Sequence, residues 1–255
     1  MTVHYETDGA VVVVTIDRPE VANAVDRPTA DALVGAFERF DADGAAAVAV
    51  LTGANGKFCA GADLQAMREA PDRVNRVAPD GDGPVGPTRM VLGKPVIAAV
   101  EGHAVAGGLE LAAWCDLRVA AEDAVFGVYC RRWGIPLMDG GTIRLARLLG
   151  HSHALDLILT GRGVRGDEAL RMGLVNRLVP SGGALAAAVA LAHEIARHPQ
   201  AALRSDRLSS YEQWSCTLED ALAGEYRHGM ATLQTGELVD GLERYASGSW
   251  RGGAR

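Results

Sequence analysis

The amino-acid sequence predicts an α/β fold followed by a helical C-terminal region. Through the first two thirds of the 255 residues, short apolar runs rich in β-branched side chains alternate with segments whose apolar positions recur at helical spacing. From about residue 184 to residue 246 the pattern is helical, with an interruption at Pro199. Because alternating strands and helices are typical of a sheet covered by helices, we expect the first part to form the core of the fold.

The predicted elements follow the chain in order. Strands are expected in AVVVVTI (10–16), AVAVL (47–51), KPVIAAVEG (94–102) and DLRVAAEDAVFG (116–127). Helices are expected over residues 28–41, from near Asp63, after the glycine pair of AVAGGLE (104–110), and over GTIRLARLLG (141–150) and ALDLILTG (154–161). The segment 71–87 is rich in Pro, Gly and Asp and predicts a mobile loop of the kind that often forms a flap, while SGSWRGGAR (247–255) predicts a frayed end.

Composition and charge exclude several classes of protein. The net charge of −7 argues against a nucleic-acid partner, which normally meets a basic surface. The N-terminal residues lack the pattern of a signal peptide, and no apolar run is long enough to span a membrane. Four widely spaced cysteines without a C-x-x-C pair predict a reduced, cytoplasmic protein with no disulfide framework. No spacing of His or Cys indicates a metal site.

Two glycine-rich turns lead from predicted strands into predicted helices, FCAGADL (58–64) and AVAGGLE (104–110). The start of a helix offers N–H groups without intrahelical acceptors, so two such turns side by side would aim two N–H donors at one oxygen atom. Neither turn matches the phosphate-binding P-loop or the dinucleotide pattern G-x-G-x-x-G. Each turn alone also fits a purely structural role.

The stretch VFGVYCRRWGIPLMDGG (125–141) contains a single carboxylate, Asp139, beside a glycine pair. An aspartate there would either hydrogen-bond its own turn or serve as an acid that faces a site. The residues of the stretch leave both readings open.

The whole chain resembles the crotonase, or enoyl-CoA hydratase/isomerase, superfamily. The resemblance rests on RPEVANAVD, LTGANGKFCAGADL, KPVIAAVEGHAVAGGLELAAWCDLRVAAEDAVFG, GIPLMDGGTIRLARLLG and LTGRGVRGDEALRMGLVNRLVP. It implies a spiral of β-β-α units over residues 1–190 and a C-terminal helical region over 191–255 that builds a homotrimer or hexamer. It also implies an acyl thioester of coenzyme A (CoA) as substrate, so CoA enters as part of the substrate and no separate cofactor is expected.

The resemblance assigns the site residues by position. The N–H groups of Ala62 and Gly107 would form the oxyanion hole that holds the thioester oxygen. Glu110 stands where many relatives place a catalytic glutamate. The positions that contact CoA in relatives, largely through main chain, are matched by Val21, Ala22, Ala60, Asp63 and Leu64.

The sequence departs from typical hydratases at one catalytic position. They carry a second glutamate three residues after the glycine that matches Gly127, and this chain has Cys130 there. Some relatives with isomerase or dehalogenase activity place an aspartate near Asp139, three residues before the threonine that matches Thr142. Asp139 is therefore the candidate for the missing second carboxylate.

Two classes of function remain open from the sequence. The leading hypothesis is an enzyme that hydrates trans-2-enoyl-CoA to 3-hydroxyacyl-CoA, with Glu110 as principal acid and base and Asp139 assisting. Double-bond isomerisation is the near alternative, because one carboxylate that shuttles a proton suffices for it, and hydrolase, decarboxylase or dehalogenase chemistry follows behind. A non-catalytic acyl-CoA-binding relative is the other class, and the loss of the glutamate at Cys130 favours it.

Overall fold

A computed structural model describes residues 2–248 of the chain. It contains nine β-strands and ten α-helices within those residues. The last seven residues of the SGSWRGGAR segment, for which the sequence predicts a frayed end, lie outside the described residues.

The strands form two sheets. The larger sheet has six strands in the order β1-β2-β3-β4-β6-β9, and the smaller has three in the order β5-β7-β8. The strands are β1 (Val3–Asp8), β2 (Val11–Ile16), β3 (Val48–Gly53), β4 (Val96–Val100), β5 (His103–Val105), β6 (Leu117–Ala121), β7 (Val125–Gly127), β8 (Gly163–Arg165) and β9 (Arg177–Val179). The antiparallel pairs are β1 with β2 and β7 with β8, and every other pairing in the two sheets is parallel.

The ten helices connect and follow the strands. They are α1 (Arg27–Ala42), α2 (Leu64–Glu69), α3 (Gly107–Trp114), α4 (Gly141–Leu149), α5 (His151–Thr160), α6 (Gly166–Arg171), α7 (Ala184–Ala196), α8 (Gln200–Glu212), α9 (Leu218–Leu233) and α10 (Glu237–Ala246). The chain divides into two compact units, Met1–His193 and Glu194–Arg255. Among the described residues, the first unit contains both sheets, and the second contains helices and no strand.

The central strands β3 and β4 of the larger sheet are buried on both faces. All five residues of β4 are buried, as are the first five of β3, which explains why these strands read as continuous apolar runs rather than as alternating ones. The helix α1 begins after Asp26, whose side chain accepts a hydrogen bond from the N–H of Thr29 at 3.1 Å. Its buried face includes Leu33, Phe37 and Phe40, at the helical spacing that the sequence showed.

Most predicted elements are confirmed with shifts of a few residues at their ends. The strands predicted over 10–16, 47–51 and 94–102 correspond to β2, β3 and β4, and the helix predicted over 28–41 is α1. Asp63 caps α2 as expected, since its carboxylate accepts from the N–H of Ala66 at 3.0 Å. Pro199 occupies the N-cap position of α8, which explains the interruption in the helical pattern.

Four strands have no counterpart in the sequence prediction. The edge strand β1 carries the polar sequence VHYETD, and its outer residues are exposed, so it lacks an apolar run. The strands β5, β8 and β9 have three residues each, too few to produce a periodic pattern. The segment 71–87 contains a 3₁₀ turn at Pro71–Arg73 and a turn in which Gly83 and Gly86 exchange two backbone hydrogen bonds of 3.0 and 2.9 Å.

Candidate active site

A cavity of about 610 Å³ opens beside the two glycine-rich turns. Its lining is mainly apolar, and within the first unit it receives residues from five segments of the chain. Of the residues singled out from the sequence, it is lined by Val21, Ala60, Ala62, Asp63, Leu64, Gly107, Glu110, Cys130 and Asp139. Residues that are far apart in the sequence therefore meet at one cavity.

The two glycine-rich turns are in direct contact. A Cβ atom placed on Gly61 would lie 2.7 Å from the backbone N of Gly107, and one placed on Gly107 would lie 3.6 Å from the N of Ala62. Gly61 also has φ of +93°, a conformation that favours glycine. Glycine at both positions is what lets the two backbones approach so closely.

The N–H groups of Ala62 and Gly107 are free to meet a ligand. The residues on either side of Ala62 pair with Val25, through Val25 N to Gly61 O at 2.7 Å and Asp63 N to Val25 O at 3.0 Å. The N–H of Ala62 therefore points away from that pairing. Gly107 is the first residue of α3 and has no intrahelical acceptor. Within residues 2–248, neither N–H donates a hydrogen bond to a protein group.

The backbone that enters α3 is strained and tightly packed. Ala106 has φ of +52° and ψ of −125°, a region that residues with a Cβ seldom adopt. A Cβ on Gly108 would lie 2.0 Å from the carbonyl oxygen of Cys59, so a larger residue there would force the backbone to shift. These constraints fix the start of α3 against the first glycine-rich turn.

Glu110 lies in the first turn of α3 and is 3% exposed. Its Oε1 accepts hydrogen bonds from the N–H groups of Asp139, at 2.9 Å, and Gly141, at 2.8 Å. Burial, followed by the negative charge of Asp139, raises the pKa of Glu110 to about 7, against the opposing effect of these hydrogen bonds and of Arg144. A carboxyl group with such a pKa exchanges protons readily near neutral pH.

Asp139 is 4% exposed and lies just before α4. Its Oδ1 accepts hydrogen bonds from the hydroxyl of Thr88, at 2.5 Å, and from the N–H of Val85, at 3.1 Å. Burial raises the pKa of Asp139 above its usual range, while the hydrogen bonds from Thr88 and Val85 and the charges of Arg89 and Arg144 oppose that rise. Asp139 is thus a buried acid rather than a solvated turn residue.

Each of the two carboxyl groups is anchored through one oxygen. Oε1 of Glu110 and Oδ1 of Asp139 take all the hydrogen bonds described above. Among the described residues, no group donates to Glu110 Oε2 or to Asp139 Oδ2, and both residues line the cavity. One oxygen of each acid therefore remains available for proton transfer.

Cys130 is the residue that the resemblance places at the position of the second glutamate of typical hydratases. It lies in the 3₁₀ segment Tyr129–Trp133, lines the cavity and is 5% exposed. Burial, followed by the charge of Glu110, raises the pKa of the Cys130 thiol. The thiol is accordingly protonated at neutral pH and supplies neither a carboxylate nor a ready nucleophile.

The positions assigned to CoA fall into two groups. Val21, Ala60, Asp63 and Leu64 line the cavity, and Ala22 does not. The carbonyl of Ala22 accepts a hydrogen bond from Ala60 N at 3.1 Å. The side chain of Asp63 is already engaged, since Oδ2 accepts from the guanidinium of Arg18 at 2.8 Å while Oδ1 caps α2. Any contact of Asp63 with a ligand would therefore use its main chain.

Sequence reasoning missed the residues that hold Asp139. Thr88 and Val85 lie more than fifty residues away in the chain, in a region without periodic pattern. Arg144, on α4, donates to the carbonyl of Asp139 at 2.8 Å and to that of Thr88 at 2.6 Å. The sequence offered one local indication of these contacts, the arginine that lies three residues after Gly141 at the start of a helix.

Two kinds of feature are absent from residues 2–248. No three His, Cys, Asp or Glu side chains come together as ligands for a metal ion. None of the helices in that part of the chain is both long and apolar enough to cross a membrane.

Comparison with known proteins gives a consistent result. The sequence model of the enoyl-CoA hydratase/isomerase family matches residues 6–248. A Mycobacterium tuberculosis protein named enoyl-CoA hydratase EchA19 is 40% identical over 249 residues, which cover 94% of this chain and 92% of the relative. A carnitinyl-CoA dehydratase from Salmonella typhi is 34% identical over 255 residues, covering 96% and 95% of the two chains.

Solved structures agree with the sequence comparisons. The crystal structure of an enoyl-CoA hydratase from Mycobacterium tuberculosis superposes with a TM-score of 0.91 at 34% identity, covering 96% of each chain. The crystal structure of enoyl-CoA hydratase EchA1 from Mycobacterium marinum gives a TM-score of 0.90 at the same identity and coverage. These matches confirm that the α/β fold is that of the crotonases.

Proposed function

Because the chain belongs to the enoyl-CoA hydratase/isomerase family, we propose that it hydrates trans-2-enoyl-CoA to 3-hydroxyacyl-CoA with Glu110 and Asp139 as its two acids. One observation carries this proposal. Two buried carboxyl groups, each with one oxygen free of hydrogen bonds, line the same cavity as two N–H groups that lack a protein acceptor.

The free N–H groups supply electrostatic stabilisation. When the thioester oxygen lies between Ala62 N and Gly107 N, both groups donate to it as negative charge accumulates in the enolate-like state. Removing one donor of this kind typically costs about 3 to 4 kcal/mol of transition-state stabilisation. The strained entry at Ala106 and the close contact at Gly108 hold the second donor in place.

The two carboxyl groups divide the proton transfers. Glu110 accepts hydrogen bonds from backbone N–H groups only, whereas Asp139 also accepts one from the Thr88 hydroxyl. We therefore propose that the two carboxyl groups hold one proton between them and that this proton resides on Glu110. Ionised Asp139 takes a proton from water as the water oxygen bonds to the β-carbon. Protonated Glu110 delivers its proton to the α-carbon as the enolate collapses. Transfer of the proton from Asp139 back to Glu110 through solvent completes the cycle, and one water has been added.

The proposed substrate, location and assembly follow from the family. The thioester of CoA enters as substrate, and we propose that no separate cofactor takes part. The cytoplasmic location that the sequence predicts stays a prediction. We also extend the proposal to a homotrimer, or a hexamer of two trimers, formed through the C-terminal helices.

Double-bond isomerisation is the second candidate, and Cys130 is the observation that favours it. Moving a proton from the γ-carbon to the α-carbon, or the reverse, needs one carboxylate that shuttles the proton, and Glu110 alone would suffice. In that reaction the site would not need a replacement for the glutamate missing at Cys130.

The experiment that tests the proposal compares the two reactions with the purified protein. Hydration of crotonyl-CoA removes the absorbance of the conjugated thioester, and isomerisation of a 3-enoyl-CoA to the 2-enoyl isomer creates it. We expect hydration to be the faster reaction. Isomerisation without hydration would reverse the order of the two candidates, and tight acyl-CoA binding without either reaction would favour the non-catalytic alternative.

A further inference from the structure

Asp139 is held by a segment that the reaction scheme does not use. Thr88, in the 3₁₀ turn Pro87–Arg89, is fully buried, and its hydroxyl donates to Asp139 Oδ1 at 2.5 Å. Val85, on the same segment, donates its N–H to the same oxygen at 3.1 Å. Both donors act on Oδ1, so they leave Oδ2 free.

The geometry of this segment leaves the Thr88 hydroxyl little freedom. A Cβ on Gly83 would lie 2.0 Å from Thr88 Oγ1 and 2.5 Å from Asp139 Oδ1, so the glycine makes room for both. Arg144 joins the two backbones, since it donates to the carbonyl oxygens of Thr88 and Asp139. The hydroxyl and the carboxylate are thus held as a pair from several sides.

The same segment also reaches the other part of the site. A Cβ on Gly107 would lie 2.9 Å from Cγ1 of Val85, so Val85 packs against the residue whose N–H lies in the second glycine-rich turn. A displacement of residues 83–88 would therefore change the contacts of both Asp139 and Gly107.

We propose that Thr88 is the positioning residue of this enzyme, whose hydroxyl fixes Asp139 so that its free oxygen faces the substrate. The inference rests on the proposed function, because it takes Asp139 as one of the two acids. A hydroxyl suits the task because it donates one directed hydrogen bond to an ionised oxygen, and such charge-assisted bonds are short and strong. A side chain of the same shape without the hydroxyl would fill the space and leave Asp139 free to rotate.

Besides the hydrogen bond from Thr88, Asp139 interacts electrostatically with several charged or titratable groups. They are Glu110 on α3, Arg89 on the 3₁₀ turn, Arg144 on α4 and the buried thiol of Cys59. Replacing Thr88 leaves all four groups in place. Loss of the hydrogen bond then favours protonated Asp139, and the acidic limb of the pH–rate profile moves to higher pH, since hydration requires ionised Asp139.

The test compares two replacements of Thr88 by kcat/KM for crotonyl-CoA over a range of pH. We expect Thr88→Val to lower kcat/KM by about 10- to 100-fold, the effect of a lost hydrogen bond to a charged group. Thr88→Ser keeps the hydroxyl and should retain most of the activity. Thr52→Val is the matched control, because Thr52 is also buried and its hydroxyl donates to a sheet carbonyl, that of Ala99 at 3.1 Å.

A double-mutant cycle separates positioning from general structural support. In an Asp139→Asn background, Thr88→Val should change the residual activity by less than about 3-fold, because the two residues act as one unit. Equal activity of Thr88→Val and wild type, alongside an impaired Asp139→Asn variant, would overturn the inference while the proposed function stands. Equal damage by Thr88→Ser and Thr88→Val would overturn it as well.

A measurement independent of turnover keeps the two proposals distinguishable. The carboxyl band of protonated Asp139 is assigned in pH-difference infrared spectra by its loss in Asp139→Asn. We expect its midpoint to move to higher pH in Thr88→Val and to stay near the wild-type value in Thr88→Ser. An unchanged midpoint in Thr88→Val would overturn the inference even if the wild-type protein proves to catalyse a different reaction.

Discussion

Glu110 and Asp139 are both buried carboxyl groups, but they are held by different donors. Glu110 accepts two backbone N–H groups that belong to the stretch carrying Asp139, while Asp139 accepts a hydroxyl and an N–H from the segment before β4. The N–H of Asp139 is itself one of the donors to Glu110, so the position of each acid depends on the other. This arrangement is why a change at one acid is expected to alter the ionisation of the other.

The first prediction at the residue scale concerns the activity of Glu110. Glu110→Gln should lower kcat for crotonyl-CoA by about 10²- to 10⁴-fold, because the amide keeps the acceptor oxygen but carries no transferable proton. In the wild type, kcat/KM should fall as the pH rises above about 7, where Glu110 loses its proton. Glu38→Gln, which changes an exposed carboxylate on α1, is the matched control and should leave kcat unchanged. Full activity of Glu110→Gln would contradict the assignment.

The second prediction concerns stability and pH. The pKa of Glu110 is about 7 in the folded protein and 4.5 ordinarily, so its stabilising contribution is fully present below pH 4.5 and is lost as the pH rises through 7. The stability gain from Glu110→Gln should accordingly be about 1 to 3 kcal/mol larger at pH 8 than at pH 4.5. Denaturant unfolding of both proteins at the two pH values, at one protein concentration, measures this difference. An equal effect at both pH values would show that Glu110 has an ordinary pKa.

At the scale of elements, the contact between α3 and the first glycine-rich turn sets the oxyanion geometry. Gly108→Ala should lower the free energy of unfolding by about 1 to 3 kcal/mol, because its Cβ would overlap the carbonyl of Cys59. It should also reduce kcat/KM, since relief of the overlap shifts Gly107 away from Ala62. Thermal unfolding and crotonyl-CoA kinetics measure the two effects.

The control for this prediction is Gly35→Ala. Gly35 is exposed in the middle of α1, and a Cβ there meets no atom within 4 Å. The replacement should stabilise the protein by about 0.5 to 1 kcal/mol, because alanine favours the helix. If both alanine variants behaved alike, the close contact at Gly108 would not be the feature that holds α3.

The elements also show what could be predicted from the sequence. Continuous apolar runs identified β2, β3 and β4, and helical spacing identified α1, because burial imposes those patterns directly on the residues. The edge strand β1 escaped prediction, since its outer residues face solvent. The resemblance to the family identified Glu110 and Asp139 as site residues, and both line one cavity. The contact of the Thr88 hydroxyl with Asp139 could not be predicted, because a tertiary contact between distant, irregular segments produces no periodic pattern in the sequence.

At the scale of the whole molecule, the prediction concerns assembly. The helix α9 presents an apolar face with Leu218, Leu222 and Tyr226 at intervals of four residues, exposed by 76%, 56% and 69%. Exposed apolar faces of this kind are typical of protein interfaces. We expect light scattering to give three or six times the 26.7 kDa mass of one chain. Leu222→Glu should reduce that mass.

Ala231→Glu is the matched control for the assembly prediction. Ala231 is exposed on the same helix, nine residues after Leu222, and nine residues turn an α-helix by about half a revolution relative to that position. The charge should therefore leave the mass unchanged. A monomeric wild-type protein, or equal dissociation by both variants, would contradict a role for the apolar face of α9.

In the proposed mechanism, Asp139 replaces the carboxylate that typical hydratases carry at the position matched by Cys130. The most direct test is the rate of crotonyl-CoA hydration by Asp139→Asn, with Cys130→Ser as its partner variant. We expect Asp139→Asn to lose about 10²-fold or more in kcat, as for a lost general base. Cys130→Ser should stay within about 3-fold of wild type, since the Cys130 thiol is protonated. Full hydration activity in Asp139→Asn, or a collapse of activity in Cys130→Ser, would contradict the proposed mechanism.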